Sequence, residues 1–137
     1  MGTVYAEITL KNAYEEGKAL EGLIKAEDVR TATVTAIVDT GAMSLVITED
    51  LRQKLGLSIR GEKPVLIANG QRVLSKLTEG VEVHWKNRIT TVRAVVIPGA
   101  AAVLLGAIPL EDMDLIVNPV TQELAGAHGD VVETLAL

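Results

Sequence analysis

Short segments in which apolar and polar residues alternate constrain the fold of this chain more than any other feature. Residues 5–12 place Ala6, Ile8 and Leu10 on one face of a strand, and residues 31–38 read as a second strand. The hydrophobic 48% of the chain is mostly Val, Ile, Leu and Ala, with no Phe. Because β-branched residues at this density favour strands and a packed core, we expect an all-β fold.

Turn signals between these segments predict two hairpins. Asn69-Gly70 is a strong signal for a tight turn, and residues 65–68 and 72–75 flank it as strands. Residues 86–88 are expected to form the turn of the second hairpin, between strands at 80–85 and 89–97.

One helix is clearly indicated, over residues 48–55. Thr48 can cap its beginning, and Gly56 can end it in a left-handed conformation. A short helical turn is expected over residues 109–113. Further strands are expected at residues 19–26, 115–117 and 122–124. Since no linker, repeat or low-complexity segment is visible, we expect one domain over residues 1–137.

Composition argues against several classes of function. The net charge of −5 disfavours a nucleic-acid partner, which needs a basic surface. There is no cysteine, so thiol catalysis, disulfides and cysteine-based metal sites are excluded. His84 and His128 lie far apart in sequence, which disfavours a histidine metal cluster. A Ser–His pair stays possible, but neither histidine lies near a Gly-x-Ser-x-Gly motif.

The chain also gives no sign of membrane insertion or export. Its first residues lack the basic start and apolar stretch of a signal peptide. The longest apolar run, residues 94–110, contains two prolines and two glycines and is too short for a comfortable membrane span. We therefore expect a cytoplasmic protein with no membrane partner.

The sharpest chemical feature is Asp39, which follows the apolar pair Ile37-Val38 at the end of a strand. Thr40 and Gly41 then allow a tight turn that keeps the backbone close to the carboxylate. Two carboxylates about 3 Å apart cannot both ionise and therefore share one proton, which suits them to activate a water. Since the chain has one Asp-Thr-Gly, the second carboxylate would come from another copy.

The segment Val38-Asp39-Thr40-Gly41-Ala42 resembles the active-site motif of the retroviral-type, or retropepsin-like, aspartic proteases, particularly the single-domain bacterial and archaeal branch of that clan. Val103-Leu104-Leu105-Gly106 resembles the motif that passes behind the catalytic loop in this family. Asn69-Gly70 lies between the two motifs, where these proteases carry the hairpin flap. The order and spacing agree across residues 34–124.

The resemblance implies a closed barrel of short strands with one short helix and a helical turn, completed as a homodimer. Asp39 would be the catalytic carboxylate, Thr40 would donate a hydrogen bond across the dimer, and Gly41 would present its backbone to a peptide or protein substrate. No metal or organic cofactor would be needed. The implied substrate-binding residues are Ala42, Met43, Ala68, Asn69, Gly70, Gln71 and Leu104.

Two departures from the retroviral pattern leave an alternative open. Met43 and Ser44 stand where retroviral enzymes have acidic residues, and Ala107-Ile108 stands where the partner arginine would be. The pocket should therefore be more apolar and the dimer less braced.

The alternative function is a catalytically inactive, dimeric peptide-binding or scaffold module of the same fold, since fold does not establish activity.

Overall fold

Nine strands and three helices make up residues 2–132, the part of the chain that the computed structural model describes. The strands are β1 (Val4–Asn12), β2 (Thr31–Val38), β3 (Leu45–Ile47), β4 (Ile59–Leu66), β5 (Arg72–Trp85), β6 (Arg88–Val96), β7 (Val103–Leu105), β8 (Leu115–Asn118) and β9 (Glu123–Gly126). The helices are α1 (Ala13–Leu20), α2 (Glu49–Leu55) and α3 (Ala107–Asp112), with a 3-10 helix at Ala26–Asp28. The expected mostly β fold with few short helices is confirmed.

Six of the strands close into a barrel. The main sheet has the order β1-β2-β7-β3-β6-β5-β4, and β1 also pairs with β5. This last pairing, between β1 and the second half of β5, closes the ring. β4 lies outside the ring and pairs with the first half of β5. β8 and β9 form a separate two-stranded sheet. The expected closed barrel is therefore present.

The alternation in the first segment decides which side chains fill the barrel. Ala6, Ile8 and Leu10 are buried, whereas Tyr5 and Glu7 on the opposite face are exposed. The other fully buried large apolar residues come from strands of the ring, from α2 and the residues after it, and from the residue after α3: Leu45, Ile47, Leu55, Leu57, Val81, Val83, Leu105 and Met113. Period-two patterning thus produces one inward face, as predicted.

Helix α2 forms where the capping residues predicted it. The Thr48 hydroxyl accepts a hydrogen bond from the Leu51 N–H at 3.2 Å, and Gly56 ends the helix with a φ of 63°. Leu51 and Leu55 are the buried residues of this helix. The helical turn predicted near residue 109 is also present, as α3.

The strand predicted at residues 19–26 is wrong. Helix α1 occupies residues 13–20 instead, and a turn leads from it to the 3-10 helix. The side chain of Asn12 caps α1 by accepting from the Glu15 N–H at 3.1 Å, while its Nδ2 donates to the Leu55 carbonyl at 3.0 Å. No residue of α1 is buried, so the helix contributes nothing to the core.

The two strands predicted on either side of residue 78 are one strand, β5. Its register shifts between Leu77 and Gly80, and the side chain of the buried Thr78 forms hydrogen bonds with the backbone at this irregularity. The Thr78 hydroxyl donates to the Glu79 carbonyl at 2.7 Å and accepts from the Ala94 N–H at 3.0 Å. Because the first half of β5 pairs with β4 and the second with β1, this point is where the β4–β5 hairpin leaves the barrel.

A buried arginine ties the C-terminal sheet to the barrel. Arg88 is 3% exposed and its guanidinium donates to the carbonyls of Met113 and Asp114, both at 2.7 Å, and to that of Gly129. Three carbonyl acceptors compensate the burial of this charge.

No helix within residues 2–132 is long and apolar enough to cross a membrane.

Candidate active site

Asp39 lies directly after β2, where three strands fix the backbone. β2 pairs with β1 on one side and in parallel with β7 on the other, so that Val38 lies opposite Leu105. The Asp39 N–H continues this pairing by donating to the Leu105 carbonyl at 3.0 Å. The chain then turns, and the Ala42 N–H donates to the Asp39 carbonyl at 3.1 Å. We call residues 39–44, between β2 and β3, the Asp39 turn.

The Asp39 carboxylate is oriented by its own turn. Its Oδ1 accepts a hydrogen bond from the Gly41 N–H at 3.0 Å. A Cβ atom at Gly41 would lie 3.3 Å from that oxygen, so the glycine allows the backbone to approach the carboxylate closely. The side chain of Asp39 is half-buried, with its second oxygen available to other groups.

A second glycine lies behind the Asp39 turn. Gly106 follows β7, and the two residues after it donate hydrogen bonds to the carbonyls of Ala42 and Met43 at 2.8 and 2.9 Å. A Cβ at Gly106 would lie 2.4 Å from the Ser44 carbonyl oxygen and 2.7 Å from that of Ala42. Since these contacts are with backbone atoms, only glycine allows this approach.

A cavity of about 630 Å³ lies beside Asp39. The Asp39 turn forms one wall, and β4 and the start of the following loop form the opposite wall. Residues of β3, β6 and β7, and the residue directly after β6, complete the cavity. The lining residues are Asp39, Gly41, Ala42, Met43, Ser44, Val46, Lys63, Pro64, Val65, Leu66, Ile67, Ala68, Val95, Ile97 and Leu104. The cavity is an open, mainly apolar cleft with one carboxylate in its wall, which is typical of a binding site.

The structure brings most of the sequence-predicted site residues to this cavity. Those that line it are Asp39, Gly41, Ala42, Met43, Ala68 and Leu104. Thr40 does not line it: its side chain is exposed and has no hydrogen-bond partner within residues 2–132. Asn69, Gly70 and Gln71 also lie outside the lining, at the end of the β4–β5 hairpin.

The end of that hairpin is a five-residue loop held by its own contacts. The Ile67 N–H donates to the Gln71 carbonyl, and the Gly70 N–H donates to the Ile67 carbonyl, both at 2.9 Å. The Asn69 side chain accepts from the Gln71 N–H at 2.9 Å, and Gly70 has a φ of 85°. A hairpin is therefore present at Asn69-Gly70, with the glycine in the left-handed conformation, but its connection is longer than the predicted tight turn because β4 ends at Leu66 and not at residue 68.

Sequence reasoning missed the β4 wall of the cavity. Residues 59–66 contain Gly61, Pro64 and three charges and do not alternate, so only residues 65–68 were predicted as a strand. Their pairing with β5, not their own pattern, makes them a strand. Val95 and Ile97 were missed for another reason, since β6 reaches the site through its parallel pairing with β3.

The model of a family described as aspartyl protease matches residues 25–108, a span that contains both the Asp39 turn and Gly106. The chain therefore belongs to the aspartyl protease family, which confirms the resemblance stated from the sequence. Among solved structures, EIAV protease complexed with the inhibitor HBY-793 is similar, with 23% identity over 58% of this chain and 76% of that one and a TM-score of 0.48. No curated protein sequence matches the chain.

Proposed function

We propose that this protein is an aspartic endopeptidase that hydrolyses peptide bonds as a homodimer, with Asp39 of two copies forming the catalytic pair. One observation carries the proposal: the Asp39 carboxylate lies in the wall of an apolar cleft and is oriented by the Gly41 N–H. Membership of the aspartyl protease family supplies the class of reaction.

The chemistry requires two carboxylates that share one proton. Held about 3 Å apart, they cannot both be ionised. The ionised one would take a proton from a water as that water attacks the scissile carbonyl carbon, and the protonated one would donate to the carbonyl oxygen. The C–N bond of the resulting diol would then break as the proton taken from the water passes to the leaving nitrogen and the other carboxylate takes back its proton from the diol. Thr40 and Gly41 would complete the site, Gly41 through its backbone. This mechanism uses no metal or organic cofactor.

Surface features around the Asp39 turn favour a second copy as the source of the other carboxylate. Thr40 is exposed and its hydroxyl is free to donate to a partner's turn. Met43 is 71% exposed and Ile108 is 47% exposed, so the turn is flanked by apolar surface that a second copy would cover. A two-fold axis beside Asp39 would bring the two turns together.

The substrate would be an extended peptide lying between the Asp39 turn and the β4–β5 hairpin. Such a peptide can hydrogen-bond to strand edges as an additional strand. Ala42, Met43, Ala68 and Leu104 would contact side chains next to the scissile bond, with a preference for apolar ones. Asn69, Gly70 and Gln71 would form the tip of a flap that closes over the peptide.

The test is cleavage of a mixed peptide library by the wild type and by Asp39→Asn, scanned from acid to neutral pH at matched, high protein concentration. We expect cleavage by the wild type alone. At high dilution the rate should rise with the square of the protein concentration, because two copies make one site.

Two other outcomes would change the proposal. A rate that stays proportional to protein concentration at every dilution, with no dimer in sedimentation experiments, would contradict a site shared between copies. If both proteins left every peptide intact while a stable dimer formed, the peptide-binding module would replace the peptidase.

A cytoplasmic location stays a prediction from the sequence.

A further inference from the structure

We propose that Lys63 makes the cleft select peptides with an acidic side chain about three or four residues from the scissile bond; this inference rests on the function proposed above. Lys63 and Asp39 are the charged residues that line the cavity within residues 2–132, and the rest of the lining is apolar or small. Lys63 forms no salt bridge in that part of the chain. Its ammonium group is therefore available to a ligand.

Lys63 is the first residue of the stretch 63–68, in β4 and the loop after it, that lines the cavity. Lys63 lies opposite Ser75 and Val65 lies opposite Val73, and directly opposed residues share a face of a sheet. Ser75 is fully buried, whereas the next pair along, Glu62 and Lys76, is exposed and does not line the cavity. The hairpin therefore offers one lysine to the cleft and another to solvent.

The position of Lys63 along β4 sets where it would meet a peptide. It lies four residues before Ile67, where the hairpin loop begins, a distance of about 13 Å in a strand. An extended peptide covers the same distance in about four residues. If the loop closes over the scissile bond, Lys63 faces the third or fourth residue from it. In a homodimer the second Lys63 would recognise the equivalent position on the other side of the bond.

The expected preference is modest because the lysine is exposed. An ion pair at such a site is screened by water and salt, so a peptide with Glu should have a kcat/KM about two- to fivefold higher than its Gln counterpart. The ratio should fall towards one as the salt concentration is raised, because the Debye length shrinks.

The experiment maps cleavage sites in a complex peptide mixture for the wild type, Lys63→Gln, Lys63→Glu and Lys76→Glu. Synthetic peptides that differ only by Glu or Gln at the enriched position then give the kcat/KM ratios. We expect Lys63→Gln to abolish the acidic preference and Lys63→Glu to reverse it towards lysine or arginine. Lys76→Glu is the matched control: it makes the same change of charge at a residue of the same hairpin that does not line the cavity, and it should leave the preference intact.

Cleavage without acidic enrichment, or an enrichment that survives Lys63→Glu, would overturn the role of Lys63 while leaving the peptidase in place. If nothing is cleaved, the peptidase proposal fails, and a measurement of peptide binding then tests the role of Lys63. Fluorescence anisotropy would then compare two pools of labelled nonapeptides that differ only in having Gln for every Glu. Tighter binding of the Glu pool that disappears in Lys63→Glu supports the site, and equal binding overturns it.

Discussion

The Asp39 turn and the β4–β5 hairpin face each other across one cavity, but they are held in opposite ways. The turn is hydrogen-bonded to β7 and to the residues after it, which are more than sixty positions away in the chain. Within residues 2–132, β4 is the edge strand of the sheet and pairs with no strand other than β5. The loop of the hairpin is held by contacts between its own residues, chiefly those of Asn69 and Gln71.

In the proposed mechanism, this difference separates the part of the site that must be fixed from the part that must move. A carboxylate that shares a proton with its partner needs a defined position, and backbone bonds to a buried strand supply it. A wall that admits a peptide must open, and regions with exposed hydrogen bonds and few buried contacts open at low cost in free energy. Substitutions in the turn should therefore reduce the stability of the whole fold, whereas substitutions in the hairpin should mainly change activity.

The largest effect is expected for Gly106→Ala. The new methyl group would lie within 2.8 Å of three backbone atoms of Ala42 and Ser44, and backbone cannot move aside as a flexible side chain can. Overpacking of this kind costs about 3 kcal/mol in the free energy of unfolding. Chemical denaturation would measure the loss, and the library assay should show no cleavage because the Asp39 turn is displaced.

Gly61→Ala is the matched control for this variant. Gly61 lies in β4 with an ordinary φ, and a Cβ added there would meet no neighbouring atom within 4 Å. Its replacement should change the free energy of unfolding by less than about 0.5 kcal/mol. Equal losses for the two variants would contradict the view that the turn is the fixed wall of the cavity.

The next largest effect is expected for Thr78→Val, at the point where the hairpin leaves the barrel. The substitution keeps the shape but removes the hydroxyl that accepts from the buried Ala94 N–H. An unsatisfied buried donor costs about 2 kcal/mol. Thr33→Val, which removes an exposed hydroxyl bonded to that of Thr9, should cost far less. Comparable losses in thermal or chemical denaturation would show that the irregularity in β5 does not depend on Thr78.

The sequence predicted those features whose signals are local. The alternation in β1, the capping residues of α2 and the glycine turn at Asn69-Gly70 each act within a few residues, and all are present. The Asp39 and Gly106 motifs were recognised because of their order and spacing. The reason why residue 106 must be glycine became visible only in the structure, since a Cβ there would collide with the carbonyls of Ala42 and Ser44.

The features that were missed depend on distant partners. Helix α1 is capped by Asn12, whose side chain also bonds to the Leu55 carbonyl, 43 residues away. Because α1 buries none of its residues, packing against the core does not define it. β4 carries Gly61 and Pro64 and is a strand because β5 pairs with it. Lys63, which carries the proposed specificity, was therefore invisible until that pairing was known.

A smaller effect on stability, with a clear effect on activity, is expected for Gly70→Ala in the hairpin loop. There is open space around Gly70, so the cost is only that of holding alanine at a φ of 85°, about 1 kcal/mol. Gly22→Ala, at a φ of 78° and also in open space, is the matched control far from the cleft in sequence. Both should lose similar stability, but only Gly70→Ala should raise KM. Unchanged kinetics for Gly70→Ala would argue that the loop does not close over substrate.

The smallest effect is expected for Leu74→Gln, at a residue of the hairpin that does not line the cavity. Leu74 is 59% exposed and lies opposite Pro64. Its replacement should change the free energy of unfolding by less than about 0.5 kcal/mol and leave kcat/KM within about twofold, which is about 0.4 kcal/mol in the activation barrier. Val65→Thr, an isosteric change at a lining residue, should raise KM because it places a hydroxyl in the apolar wall of the cavity. If Leu74→Gln impaired cleavage as much as Val65→Thr, Leu74 would also contact substrate or a second copy, and the functional surface of the hairpin would extend beyond the residues that line the cavity.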